Sequence, residues 1–283
     1  MSTQNHPTMS ELLTHTTTRI RGQLTKNNLS VGTGFFFKFK IEEKIIPVII
    51  TNKHVVENCS NLEFTINAAD QNNNRLNFEH LNCTINEDIL KKTLVLHPEK
   101  DVDLCVIPIG HILNQLENER KKYYIKLLDD SLIPSEIDLQ TYTAIEDVTM
   151  IGYPNGIWDE TNNLPVARRG VTATHPKVNY NGKNEFLVDI AVFPGSSGSP
   201  IFLFNQGSYS TPRGITMGSR LKLLGINYAV YTHGVEGEII MKNTPTTVKR
   251  ITESNIPNNL GIIIKSNKIL DFESNLKILL NKI

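Results

Sequence analysis

The sequence predicts an all-β protein, a barrel or a sandwich, and three observations carry that prediction. Twelve short segments alternate in a two-residue period or are rich in β-branched and aromatic residues. Gly, Asn and Pro stand between them as turn residues. Only two internal or C-terminal segments have the three- and four-residue apolar spacing of a sizeable helix. The chain has 283 residues, 39% hydrophobic and 20% charged, which is ordinary globular composition and enough for one large all-β domain or two lobes.

Taken in order, residues 9–14 are expected to make one helical turn, with Ser10 as its cap. Thr16–Leu24 alternates Thr, Ile and Arg, Gly34–Ile41 holds four phenylalanines, and Ile45–Thr51 is β-branched. Further strands are expected at Asn61–Asn67, Thr93–His97, Leu104–Ile109, Asp147–Ile151, Gly170–Thr174, Phe186–Val192, Ile201–Phe204, Leu223–Val230 and Gly261–Lys265. His111–Leu128 reads as a helical insertion, because Ile112, Leu116, Tyr123 and Leu127 sit among charges. Asn267–Asn281 places Ile269, Phe272, Leu276 and Leu279 on one helical face, so a C-terminal helix is expected to pack on the sheets.

Several function classes are disfavoured by composition. Lys+Arg and Asp+Glu are both 29, so nothing points to nucleic acid or an anionic membrane as partner. No window approaches the roughly 20 apolar residues of a spanning helix, and the N-terminus lacks a signal-peptide core. Cys59, Cys83 and Cys105 have no metal-like spacing and cannot all pair, so a reducing, cytoplasmic setting is expected, with no metal and no cofactor.

One stretch stands apart: Gly195-Ser196-Ser197-Gly198-Ser199-Pro200, between two apolar runs. It is either an ordinary turn or a backbone cradle presenting a serine. A serine nucleophile needs a base, and the base needs an orienting group. Of eight histidines, only His54 follows an apolar strand directly, after Val48-Ile49-Ile50-Thr51. Asp103 immediately precedes the apolar run Leu104–Ile107, where a half-desolvated carboxylate requires a hydrogen-bond donor. Asp101 is its competitor, and Asp103 is favoured.

Positions 54, 103 and 197 have gaps of 49 and 94 residues, close to the gaps of about 45 and about 93 in the chymotrypsin fold, and in the same order. The surrounding motifs agree. Gly32-Thr-Gly-Phe35, Thr51-Asn-Lys-His-Val-Val56, Asp103-Leu-Cys-Val-Ile107, Ile151-Gly-Tyr-Pro154, Gly170-Val-Thr-Ala173, Asp189-Ile-Ala-Val-Phe-Pro-Gly-Ser-Ser-Gly-Ser-Pro200, Leu224-Gly-Ile-Asn227 and Gly261-Ile-Ile-Ile-Lys-Ser-Asn267 follow one another as in a known family. The chain resembles the trypsin-like (chymotrypsin-fold) serine peptidases, and among them the bacterial HtrA/Deg protease domain. The resemblance implies two six-stranded antiparallel β-barrels with the active site between them. One unit, 1–283, is expected: a first barrel over about 16–130 with the helical insertion, a second over about 140–265, and a helix at 267–281.

The resemblance also implies roles. Ser197 would be the nucleophile, His54 the base and Asp103 the orienting acid, with an oxyanion hole from the backbone of Gly195, Ser196 and Ser197, chiefly the first and last. Ala191 stands six residues before the nucleophile, where trypsin has aspartate, which disfavours a Lys/Arg pocket. Val192 and the backbone of Asn227, Tyr228 and Ala229 would line the pocket, so a small or medium apolar P1 side chain is expected. Arg168, Arg169 and His175 are candidates for substrate contact or for solvated loop charges. Ser196 replaces the aspartate that pairs with a cleaved N-terminus in digestive relatives, so activation by such cleavage is not expected. With no room for a PDZ domain after residue 283, control is expected from loops, the helical insertion or a partner. The expected partners are a polypeptide substrate and, as one option, a co-encoded effector or regulator protein. A non-cleaving peptide-binding pseudo-peptidase and an acyl hydrolase on the same fold are the alternatives.

Overall fold

The computed structural model describes residues 7–25, 28–239 and 250–280. Among the described residues, sixteen strands and six α-helices follow in chain order. The N-terminal lobe contains β1 (Thr17–Thr25), β2 (Asn28–Ile41), β3 (Lys44–Thr51), β4 (Asn61–Ala69), β5 (Arg75–Asn86), β6 (Val95–Leu96), β7 (Cys105–Pro108) and β8 (Tyr123–Tyr124). The C-terminal lobe contains β9 (Asp147–Gly152), β10 (Val166–Thr172), β11 (Glu185–Asp189), β12 (Pro200–Asn205), β13 (Ser208–Thr211), β14 (Gly214–Met217), β15 (Arg220–Ile239) and β16 (Arg250–Lys265). The helices are α1 (Met9–Leu13), α2 (Lys53–Val56), α3 (Glu87–Thr93), α4 (Gly110–Asn118), α5 (Glu136–Thr141) and α6 (Glu273–Leu280).

The all-β fold class holds. The C-terminal lobe closes into a six-stranded barrel in the order β10-β11-β16-β15-β12-β9. The N-terminal lobe is an eight-stranded sheet, β5-β4-β1-β2-β3-β7-β6 with β8 on β4, rather than a second six-stranded ring. Two strands are extra, the short β8 and the long β5, and β5 lies in a segment with no apolar alternation strong enough to predict it. It exists because β4 pairs with it from Asn61↔Asn86 to Asn67↔His80.

Packing explains the joining of the lobes. Along β2, Phe35, Phe37 and Phe39 face one cluster while Phe36 faces the other, as alternation requires. The first cluster is shared by both lobes. It brings Phe35 and Phe37 together with Phe202, Leu223, Ile226 and Ile264, and Ile269, Phe272 and Leu276 close it from the C-terminal segment.

Four local expectations change. Thr8, not Ser10, caps α1, and its hydroxyl and Glu11 form a reciprocal capping box. The insertion helix stops at Asn118 rather than Leu128. Arg120 takes φ 58°, the chain turns, and Tyr123–Tyr124 pair with Ala68 and Asn67. The strand expected over Thr93–His97 shrinks to Val95–Leu96. The residues before it form α3, capped by Asn86, whose Oδ1 accepts from the Ile89 amide at 2.9 Å. The C-terminal helix begins as a 3₁₀ turn, Ser266–Phe272, and becomes α-helical only from Glu273; residue 281 lies outside the described residues. Among the described residues, no helix is long and apolar enough to cross a membrane.

Candidate active site

The strand β3 ends at Thr51, and the short α2 begins two residues later, so His54 sits in the first turn beyond a rigid sheet. Asp103 approaches it from the turn before β7, which pairs with β3 at Thr51↔Cys105. His54 Nδ1 and Asp103 Oδ2 lie 2.5 Å apart, and the His54 amide donates to Asp103 Oδ1 at 3.2 Å. The acid's own backbone is fixed by Asn52, whose Nδ2 donates to the Asp103 carbonyl at 2.7 Å. Asp101 is exposed, and no hydrogen bond joins it to His54.

The third element is the 193–200 turn. Thr33, buried in β2, fastens it to the N-terminal lobe. The Thr33 amide donates to the Ser197 carbonyl at 2.8 Å, and its hydroxyl donates to the Gly195 carbonyl at 2.9 Å. Its own carbonyl accepts from Thr51 Oγ1 at 2.8 Å. Ser197 is therefore two hydrogen bonds from the residue that ends the His54 strand. On its other side the turn rests on Tyr153–Asn155, where the Asn155 amide donates to the Pro194 carbonyl at 2.5 Å.

Both glycines of the turn have a steric reason. Each holds φ +85°, a region that L side chains avoid. A Cβ on Gly198 would overlap the Thr33 carbonyl oxygen and stand 2.6 Å from Thr51 Oγ1, while one on Gly195 would stand 2.5 Å from the Tyr153 carbonyl. Gly198→Ala combines a left-handed backbone with overpacking, so it is expected to destabilise the fold by roughly 2–4 kcal/mol and to lower activity. Thermal unfolding of the purified variant measures this; a Tm equal to wild type would show that the turn sits elsewhere.

The three serines are differently placed. The Ser196 hydroxyl accepts from Arg168 at 3.0 Å and from the Phe193 amide at 3.3 Å, and Ser196 is fully buried. Ser199 is also fully buried, and its hydroxyl donates to Thr33 Oγ1 at 3.2 Å. Ser197 is partly exposed, and its hydroxyl bonds no protein group among the described residues. The amides of Gly195 and Ser197 donate to no protein acceptor, whereas the Ser196 amide donates to the Phe193 carbonyl at 2.9 Å. Ser196 is thereby removed from the expected set of oxyanion donors, because its N–H closes the turn.

The side chains at the expected substrate-binding positions are partly or fully enclosed. Val192 is 3% exposed and packs in the C-terminal barrel core with Val188 and Ile190, so its side chain does not line an open pocket. Asn227 is 1% exposed; its Nδ2 donates to the Ser196 carbonyl at 3.2 Å and its Oδ1 has no partner. Tyr228 is half-buried and donates to Glu185 at 2.9 Å, and burial, with that bond, pushes its phenol up from the ordinary tyrosine range. Ala191 and Ala229 are half-buried. Arg169 is exposed, and His175 accepts from the Lys177 amide at 3.2 Å within its own loop. A cleft of about 870 Å³ opens at His54 and Asp103 on the side away from the 193–200 turn, none of whose residues lines it; Val56, Leu90, Leu94 and Leu96 share its wall with Lys53, Glu57, Lys91 and Lys100. Part of this wall is α3, which no sequence signal had placed. Thr33, Thr51, Asn52 and Arg168 lie in or near segments that the sequence singles out, but their supporting roles are not legible there, since each acts across the chain.

A family model of the trypsin-like peptidase domain matches residues 32–209. No curated protein matches the sequence. Solved structures similar to the chain include the active form of the Rv3671c protease from M. tuberculosis, at 13% identity over 91% of this chain and 78% of that one, with a TM-score of 0.45. Deg5 matches at 15% identity over 77% and 81%, with a TM-score of 0.40. The thermostable serine protease AL20 from an extremophilic microorganism matches at 12% identity over 93% and 98%, with a TM-score of 0.44.

Proposed function

Because the chain belongs to the trypsin-like peptidase family, we propose that it is a serine endopeptidase working through His54, Asp103 and Ser197. The observation that carries this reading is the His54–Asp103 hydrogen bond beside a turn whose only unengaged serine hydroxyl is that of Ser197. In the reaction, His54 Nε2 takes the Ser197 proton as Oγ attacks the scissile carbonyl, and later returns it to the leaving amine. Asp103 holds the Nδ1 proton and so keeps Nε2 free to accept. The unengaged amides of Gly195 and Ser197 receive the developing oxyanion, each donor contributing on the order of 100- to 1000-fold in rate. Water then hydrolyses the acyl-enzyme by the same base. His54 is well exposed, its side chain at 46%, so a substrate in solution can reach it.

The substrate is proposed to carry an apolar side chain beside the scissile bond. Ala191, six residues before Ser197, brings no charge that would pair with a basic or acidic side chain there. A reducing, cytoplasmic setting fits three buried cysteines that form no disulfide.

Two measurements test these points. A fluorophosphonate probe is expected to label the wild-type chain, with peptide mapping locating the label at Ser197. Absence of label would favour a non-cleaving binder, and turnover of esters but never of peptides would favour an acyl hydrolase. Profiling against a peptide library is expected to give apolar residues at the cleaved position; dominance of basic or acidic residues there would overturn the P1 reading.

A further inference from the structure

The side chain of Arg168 departs from both roles that its sequence position suggested. It lies on β10, opposite Met150 of β9, is half-buried, and directs its guanidinium toward Met150 and the 191–196 segment. One terminal nitrogen, Nη1, donates to the Ala191 carbonyl at 2.6 Å and to the Ser196 hydroxyl at 3.0 Å. Nη2 points at Met150 Sδ, 3.4 Å away, and the buried Nε has no partner. Among the described residues no carboxylate pairs with this guanidinium; the atoms facing it from β9 and from the 191–196 segment are all uncharged. Burial alone pushes its pKa down, to about 10, so it stays a cation at neutral pH.

Even a half-buried cation without a counter-ion is costly, and its hydrogen bonds offset part of that cost. Here they converge on Ser196. The hydroxyl of Ser196 takes Arg168 and the Phe193 amide, its own amide goes to the Phe193 carbonyl, and its carbonyl accepts from Asn227 Nδ2 and the Ser199 amide. Every polar atom of Ser196 is therefore engaged, while the amides on either side, at Gly195 and Ser197, are not. Ala191 and Ser196 are the two ends of the bend, and one guanidinium nitrogen ties them together.

We infer that Arg168 is a positioning residue: it clamps the 191–196 bend from β10 so that the Gly195 and Ser197 amides stay turned outward as oxyanion donors. The inference rests on the serine-peptidase reading of the site and adds to it a half-buried cation that sets the donors without contacting substrate.

Steady-state kinetics of Arg168→Met, Arg168→Lys and Ser196→Ala test it. Arg168→Met is expected to lower kcat by about 100- to 1000-fold, the size of a lost oxyanion donor, with KM changed less than threefold. Its rate of fluorophosphonate labelling should fall in parallel. Arg168→Lys is expected to recover at least tenfold of that loss at neutral pH. An amine starts from an ordinary pKa about two units below a guanidinium and is lowered by the same burial, so this variant should lose activity at alkaline pH before the wild type does. Ser196→Ala keeps the cation and removes one acceptor, and should lower kcat about tenfold; it remains informative if the Arg168 variants fail to fold.

The outcomes separate cleanly. Wild type labelled at Ser197 with kcat unchanged in Arg168→Met or in Ser196→Ala overturns the clamp alone. A change in KM or in P1 preference without a change in kcat also overturns it, and makes Arg168 a substrate contact. Wild type that takes no label overturns the peptidase reading beneath it.

Discussion

Ser197→Ala is expected to abolish fluorophosphonate labelling and to lower kcat on a peptide substrate by about a million-fold, the scale seen when a triad nucleophile is removed. The fold should be unaffected. The Ser197 hydroxyl makes no hydrogen bond among the described residues, so its removal leaves no orphaned partner, and the stability should stay within about 0.5 kcal/mol of wild type. This combination, a dead enzyme with an intact melting curve, separates Ser197 from its neighbours. Ser196 and Ser199 are fully buried and bonded, so their replacement should disturb the turn as well. Retention of more than a thousandth of wild-type turnover in Ser197→Ala would place the nucleophile elsewhere.

Asp103→Asn should reduce kcat by about 10⁴-fold at neutral pH, while Asp101→Asn leaves it unchanged. The asparagine keeps an oxygen to accept from the His54 amide, a bond of 3.2 Å in the wild type. Its other atom becomes an NH₂ group facing Nδ1. The imidazole must then accept at Nδ1 and carry its proton on Nε2, the tautomer that cannot remove a proton from serine; the same replacement in a triad of this kind has that effect and magnitude. Paired kinetics of the two variants decide the matter, and a loss in Asp101→Asn with none in Asp103→Asn would reverse the assignment.

The two aspartates illustrate how far a sequence carries. Asp101 and Asp103 are both polar residues ahead of the same apolar run, and only the pairing of β3 with β7 at Thr51↔Cys105 decides which one faces His54. Strands with strong local patterns, such as Phe35–Phe39 and Val48–Ile50, were legible because alternation and β-branching are properties of the segment itself. β5 was not, since its residues are mostly polar and exposed and it is a strand only because β4 pairs with it. The insertion helix was overestimated for a related reason. Tyr123 fits a helical face by spacing, yet Tyr123–Tyr124 reach β4 as a strand, and sheet pairing outweighs that spacing.

By itself the sequence determined the fold class, the family and the short motifs around His54, Asp103 and Ser197, because each of these is written in contiguous residues. Tertiary structure alone decided how the parts are held. Thr33 meets Gly195 across 162 positions, Asn52 meets Asp103 across 51, and Arg168 meets Ser196 across 28. It also decided that the Ser196 amide closes a turn while the Gly195 and Ser197 amides do not. Such facts depend on which donors and acceptors remain unsatisfied once the sheets have paired, and hydrogen-bond satisfaction in a buried turn is a property of the whole fold rather than of any segment.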